Sequence, residues 1–236
     1  MAGQYRSPVD SIGEGIEACW LNALDLLKSA KLVKSQGHHA LALSLAVLTM
    51  EEIGKMVMVD GLLFAKPGDE RNKIFEGGFR SHKSKLGALD VFPFLLNYLC
   101  TLDPRYNTEQ GFNLTLAIVL QQYKRERQAL EPWLGPACDL RDLDLWKQRG
   151  FYTHFNLSGH FVRPAEIDKD FSTAVVHLAN RLVDAVNFIL KDNITRYKER
   201  IHSLKEKLTE EQVLEIRKHA QDLVEAMFTV TENESE

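Results

Sequence analysis

Three clusters of residues have the types and spacing from which chemistry can be built. The first is Leu45-Ala46-Val47-Leu48-Thr49-Met50-Glu51-Glu52-Ile53-Gly54-Lys55, two carboxylates inside an apolar run. Helical spacing puts Glu52 on the stripe of Leu41, Leu45, Leu48, Met56 and Val59, and sets Glu51 one turn from Lys55 as a surface ion pair. A carboxylate on a core stripe must be paired, protonated or functional, because burying it bare is costly. Two uses stay open for Glu52: holding a helix end or an arginine, or orienting a catalytic Arg or His. Lys55, Lys83, Arg149 and His82 are its candidate partners.

The second cluster is Phe79-Arg80-Ser81-His82-Lys83-Ser84-Lys85-Leu86. Arg80, Lys83 and Lys85 with His82, around a helix start, suit a phosphate backbone. An ordinary solvated helix start has the same composition. The third cluster is Lys147-Gln148-Arg149-Gly150-Phe151-Tyr152-Thr153-His154-Phe155. Here Arg149 and His154 supply the minimum for metal-free RNA cleavage, with Tyr152 in support. His acts as base on the 2′-hydroxyl or acid to the leaving oxygen, and Arg stabilises the phosphoryl charge. A five-residue step turns through about 140° on a regular helix, so this pair meets only at a bend or a helix start at Gly150. Arg196 and His202 have a similar spacing on what reads as an exposed helix.

Other chemistries find less support. A di-iron bundle needs two Glu-x-x-His pairs, and Glu199-x-x-His202 is the single one in the sequence. Phosphate-binding and dinucleotide-binding glycine loops are missing from it. Cys19, Cys100 and Cys138 are too widely spaced for a zinc knuckle or a disulfide framework. The expectation is a site without metal or cofactor.

The elements that must position these residues read as helices almost throughout. Apolar residues recur at three- and four-residue steps from Ile12 to Ala30, and Ser11 with Glu14 forms a capping box. The spacing predicts helices near 11–34, 38–64, 82–102, 108–130, 172–207 and 210–228, with Gly37 ending the first and Ser81 capping the third. Pro132 to Asp170 reads as irregular, and such long segments are often functional. The predicted class is all-α, an up-and-down bundle with a C-terminal helical hairpin. Residues 1–207 form the helical domain, and 208–236 form a last helix and acidic tail packed on it.

Composition narrows the partners. Of 236 residues, 44% are hydrophobic and 26% charged, which excludes wholesale disorder. The formal charge of -4 argues against coating nucleic acid with the whole surface, yet it permits a local basic site. The longest nearly uncharged run is too short to span a bilayer, and the N-terminus lacks an apolar secretory stretch. A cytoplasmic protein without membrane contact is expected.

Taken together, Ala-x-x-x-x-Glu-Glu-x-Gly-Lys from Ala46 to Lys55, Phe-Arg-Ser-His-Lys-x-Lys-Leu from Phe79 and Arg-Gly-Phe-Tyr-x-x-Phe from Arg149 resemble the AbiV family. These are phage abortive-infection proteins of the HEPN superfamily of helical bundles. The resemblance covers about residues 15 to 200. It implies an HEPN-like bundle, a homodimer, and a metal-independent endoribonuclease whose Arg149 and His154 meet across the dimer interface. Glu51, Glu52, Lys55 and Tyr152 would support the pair, and Arg80, His82, Lys83 and Lys85 would hold RNA. Such an effector would cut tRNA, rRNA or mRNA, halt translation in the infected cell, and answer to a phage-encoded activator. Active HEPN nucleases often have a polar residue after the arginine, where this chain has Gly150. The alternative is a non-catalytic HEPN module that binds a protein or nucleotide partner.

Overall fold

The computed structural model describes residues 11–62, 78–93, 109–152, 154–155, 161–162 and 167–199, with single positions at 211, 214 and 218. The helix expected at 210–228 and the acidic tail therefore lie almost wholly outside the described residues. Helices α1 (Ile12–Ser35) and α2 (His39–Gly61) form an antiparallel pair around the turn at Gly37, whose φ of +84° is readily adopted by glycine. Short helix α3 (His82–Gly87) runs on into a 3₁₀ turn at Ala88–Val91. Then come α4 (Glu109–Gln128), α5 (Glu131–Leu134), a second 3₁₀ turn at Leu140–Asp142 and α6 (Leu143–Phe151). A minimal antiparallel hairpin of β1 (His154–Phe155) and β2 (Phe161–Val162) precedes α7 (Lys169–Leu190). The fold is all-α, and among the described residues no helix is long and apolar enough to cross a membrane.

The centre of the bundle is α2. Helices α1, α3, α6 and α7 all pack on it, so it is buried on nearly every side. Its core positions are Leu43, Ala46, Val47, Met50, Ile53 and Met56, all at 0% exposure. This corrects the expected stripe: Leu41 is exposed and Leu45 and Leu48 are half-buried. A helix that is apolar all round carries little phase information. By contrast α1, with one face in solvent, buries Ile12, Ile16, Ala23, Leu27 and Ala30 as its periodicity predicts.

Several boundaries also differ from the sequence reading. Ser11 makes no capping bond to α1, whereas Ser81 does cap α3, accepting from the Ser84 amide at 3.1 Å. Asp168 caps α7 at 2.7 Å from the Phe171 amide, so that helix starts before Ser172. The expected continuous helix to 207 is interrupted by a turn at 191–193 before helix resumes at 194–199. Lys191-Asp192-Asn193 includes two side chains that compete with helical backbone bonds. The largest correction lies between Pro132 and Asp170. That segment contains α6, anchored by Trp146 against Phe171 at 5.0 Å, with Trp133 stacked on Phe171 at 5.1 Å.

The turn at 191–193 delivers Tyr197, fully buried, to the end of α2, where its hydroxyl donates to Asp60 Oδ1 at 2.8 Å. Burial pushes the Asp60 carboxyl up to about 7, although the Tyr197 bond pulls the other way. The folded state thus holds this proton more tightly than the unfolded chain. Stability falls as pH rises from about 4 to about 7, and the cost of the buried anion is fully present above that. Asp60→Asn keeps an acceptor for Tyr197 but cannot ionise. In urea denaturation it is expected to exceed wild type by up to about 4 kcal/mol at pH 8, with the gap closing toward pH 4.

Candidate active site

The carboxylate at the heart of the molecule is Glu51. It is 1% exposed, and three basic side chains converge on it from two other elements. From α6, Lys147 Nζ donates to Glu51 Oε1 at 2.6 Å and reaches Asp144 Oδ1 at 2.8 Å. From α3, Lys85 Nζ lies 3.2 Å from Glu51 Oε2, and His82 Nδ1 lies 2.6 Å from the same oxygen. The two carboxylates and two ammoniums balance, which is what permits four charges to be buried together. Asp144 is held below the usual carboxylate range: burial raises it, but the Lys147 bond and charge, with His82 and Gln148, outweigh that.

Which nitrogen of His82 donates follows from its partners. Both oxygens of Glu51 face a lysine ammonium, so both act as acceptors. Nδ1 must carry the hydrogen of the 2.6 Å contact, so the approach of Lys85 Nζ to Nδ1 at 3.3 Å is a contact between two donors. The imidazole itself is 47% exposed, with Glu51 gripping its buried edge. Glu51, His82 and Asp144 offer ligand atoms within 4.8 Å of one another, a geometry that suggests a metal ion. The Lys147 ammonium already sits between both carboxylates, and Lys85 adds a second. That donor set serves lysines better than a divalent cation.

Two glycines let the elements approach. A Cβ at Gly54 would lie 1.9 Å from the Lys85 carbonyl oxygen, so α3 rests directly on the α2 backbone. A Cβ at Gly150 would lie 2.0 Å from Ser44 Oγ and 2.5 Å from the Ala40 carbonyl. Ser44 Oγ, fully buried, contacts both the Ala40 and Lys147 carbonyls, at 3.1 and 2.9 Å. Gly150 is thus a packing requirement of α6 on α2.

The expected site residues separate into those this cluster gathers and those it does not. Glu51 is the buried anchor, correcting its reading as a surface partner of Lys55. Lys55 bonds Glu52 instead, and Glu52 is largely buried as expected. Lys85 is buried against Glu51 and does not present its ammonium to solvent, whereas Arg80 and Lys83 are exposed beside His82. Arg149 lies outside the cluster. Its guanidinium sits 4.8 Å over the Trp146 ring, and its buried Nε finds no acceptor among the described residues. His154 opens β1 after the extended Tyr152, which ends α6 and is itself exposed. The sequence reading placed Lys147 in its third cluster without a role and missed Asp144; their i, i+3 spacing was the available signal. Cys19, pushed up to about 12 by burial and by Glu52, is no nucleophile.

A family model for AbiV of the HEPN class matches residues 11–184, well over half of the chain. The chain belongs to the AbiV family. The match spans Glu51, His82, Lys147 and Arg149 and ends inside α7. No curated protein and no solved structure matches this AbiV-family chain.

The glycine contacts give a direct check. Gly54→Ala, normally favourable inside a helix by about 1 kcal/mol, is expected to destabilise by about 3 kcal/mol in urea denaturation. Gly61, with nothing within 4 Å of its would-be Cβ, is the control. Gly61→Ala is expected to be neutral or stabilising by up to about 1 kcal/mol.

Proposed function

We propose that this AbiV-family protein is an abortive-infection effector that cleaves RNA without a metal ion, acting in the cytoplasm as a homodimer. The observation that carries this reading is Arg149. A guanidinium held over the Trp146 ring, half-buried and with no carboxylate partner among the described residues, is a cation kept ready for an anion. Phosphate matches it in charge and in planar hydrogen-bonding geometry.

The proposed reaction is intramolecular attack. The RNA 2′-oxygen adds to the adjacent phosphorus as the bond to the 5′-oxygen breaks, and Arg149 takes up the charge on the non-bridging oxygens. One proton leaves the 2′-hydroxyl and one reaches the 5′-oxygen, and His154 serves one of these transfers. Arg80 and Lys83, exposed beside His82, would track the flanking backbone. The packing role of Gly150 accounts for its difference from the polar residue often found in active HEPN nucleases, so it does not favour the binding-module alternative. The homodimer reading is supported by α6, where exposed Leu145 sits one turn from Arg149 on the same stripe, near exposed Phe151 and Tyr152.

Total RNA incubated in EDTA and resolved on a denaturing gel tests the reaction. Cleavage is expected to leave 2′,3′-cyclic phosphate ends, to spare DNA, and to fall at least about 100-fold in Arg149→Ala. RNA bound but uncut by the wild type would favour the binding module. Light scattering tests the assembly, with twice the chain mass of 26.9 kDa expected for the wild type. Leu145→Glu is expected to return the single-chain mass.

A further inference from the structure

We infer that His82 is a catalytic residue of this site, the general base that takes the 2′-hydroxyl proton, and that Glu51 is its positioning residue. The inference rests on the ribonuclease reading above and deepens it. Its basis is the one-sided environment of the imidazole. Nδ1–H is committed to a carboxylate that is 1% exposed and immobilised by two lysines, while almost half of the ring faces solvent. Fixing the hydrogen on Nδ1 leaves the neutral ring with its lone pair on Nε2, the acceptor a base requires.

A purely structural histidine would not need this arrangement. Lys147 and Lys85 already balance the two carboxylates, so His82 adds no charge that burial requires. What Glu51 gives the ring is orientation and a defined tautomer, the two properties a proton acceptor must have before substrate arrives. In the step itself, the bond from O2′ to phosphorus forms and the bond from phosphorus to O5′ breaks. The 2′-hydroxyl proton passes to His82 Nε2, and O5′ takes a proton from His154 of the pair proposed above. Both histidines then return to their starting forms by exchange with water. Arg80 and Lys83, on either side of His82 in sequence and both exposed, supply cations for the neighbouring phosphates.

The test compares wild type with His82→Ala in EDTA, measuring the cleavage rate against pH, the affinity for an uncleavable 2′-O-methyl RNA, and the thermal midpoint. His82→Ala is expected to lose about 10²- to 10⁴-fold in rate, to bind the 2′-O-methyl RNA within about twofold of wild type, and to stay folded with a midpoint lowered only by the loss of one bond to Glu51. Added imidazole is expected to restore part of the lost rate. The acidic limb of the pH–rate profile, where the base becomes protonated, is expected to disappear. Nitrogen-15 spectra are expected to show the neutral ring protonated at Nδ1 in wild type and shifted toward Nε2–H in Glu51→Gln. Cleavage by His82→Ala at about the wild-type rate would overturn the inference while leaving the ribonuclease reading intact. So would a loss of rate matched by an equal loss of RNA affinity. A wild-type protein that cuts no RNA would overturn the reading itself.

Discussion

A buried carboxylate cannot stand alone, and Glu51 shapes this molecule through that constraint. Leaving one of these charges without its partner would cost about 3–5 kcal/mol, a large fraction of a domain's stability. The partners must therefore be brought to it, and they come from α3 and α6, short elements that also bury Leu86 and Leu143 in the core. Helix α3 has six residues and α6 has nine, both shorter than an isolated helix can sustain in water. Their positions depend on what they touch. Lys85 and His82 tie α3 to α2, while Lys147, with Ser44 beneath its carbonyl, ties α6 to the same helix.

Close approach is the geometric side of the same constraint. For ammonium and imidazole nitrogens to reach one carboxylate, the backbones of three helices must nearly touch. Gly54 and Gly150 are the points where they do. The Glu-Glu-x-Gly-Lys and Arg-Gly-Phe-Tyr strings, on which the resemblance to the AbiV family rests, thus each combine a charge with the glycine that lets the charge's neighbours arrive. Asp90, in the 3₁₀ turn that follows α3, plays a comparable but more exposed part, bonding Arg127 at 2.7 Å and Arg141 at 3.2 Å.

How much of this was legible in the sequence depends on where solvent lies. Helix α1 has a wet face, and its buried residues follow from periodicity alone. Helix α2 has almost none, so a stripe drawn through Leu41, Leu45 and Leu48 missed the true core by a fraction of a turn. That small error exchanged Glu51 for Glu52 and gave Lys55 the wrong partner. The AbiV motifs were visible as strings, since sequence order preserves them. Their convergence was not, because it depends on α6, hidden in a segment where Trp, Gly and Pro masked a short helix. Asp144 and Lys147 are ordinary residues in sequence and become informative once Glu51 lies between them and α3.

The HEPN reading and the geometry meet in a division of labour. A charge-balanced cluster of Glu51, Asp144, Lys85 and Lys147 holds the framework with His82 at its exposed edge, while Arg149, 4.8 Å over the Trp146 ring, has no carboxylate partner among the described residues. The claim on which this rests is that Glu51 and Lys147 act as one unit, and a double-mutant cycle measures it most directly. Glu51→Leu, Lys147→Met and the pair are compared with wild type by urea denaturation. Each single change is predicted to cost about 3–5 kcal/mol, and the pair to cost at least about 2 kcal/mol less than their sum. Additive costs would contradict the account.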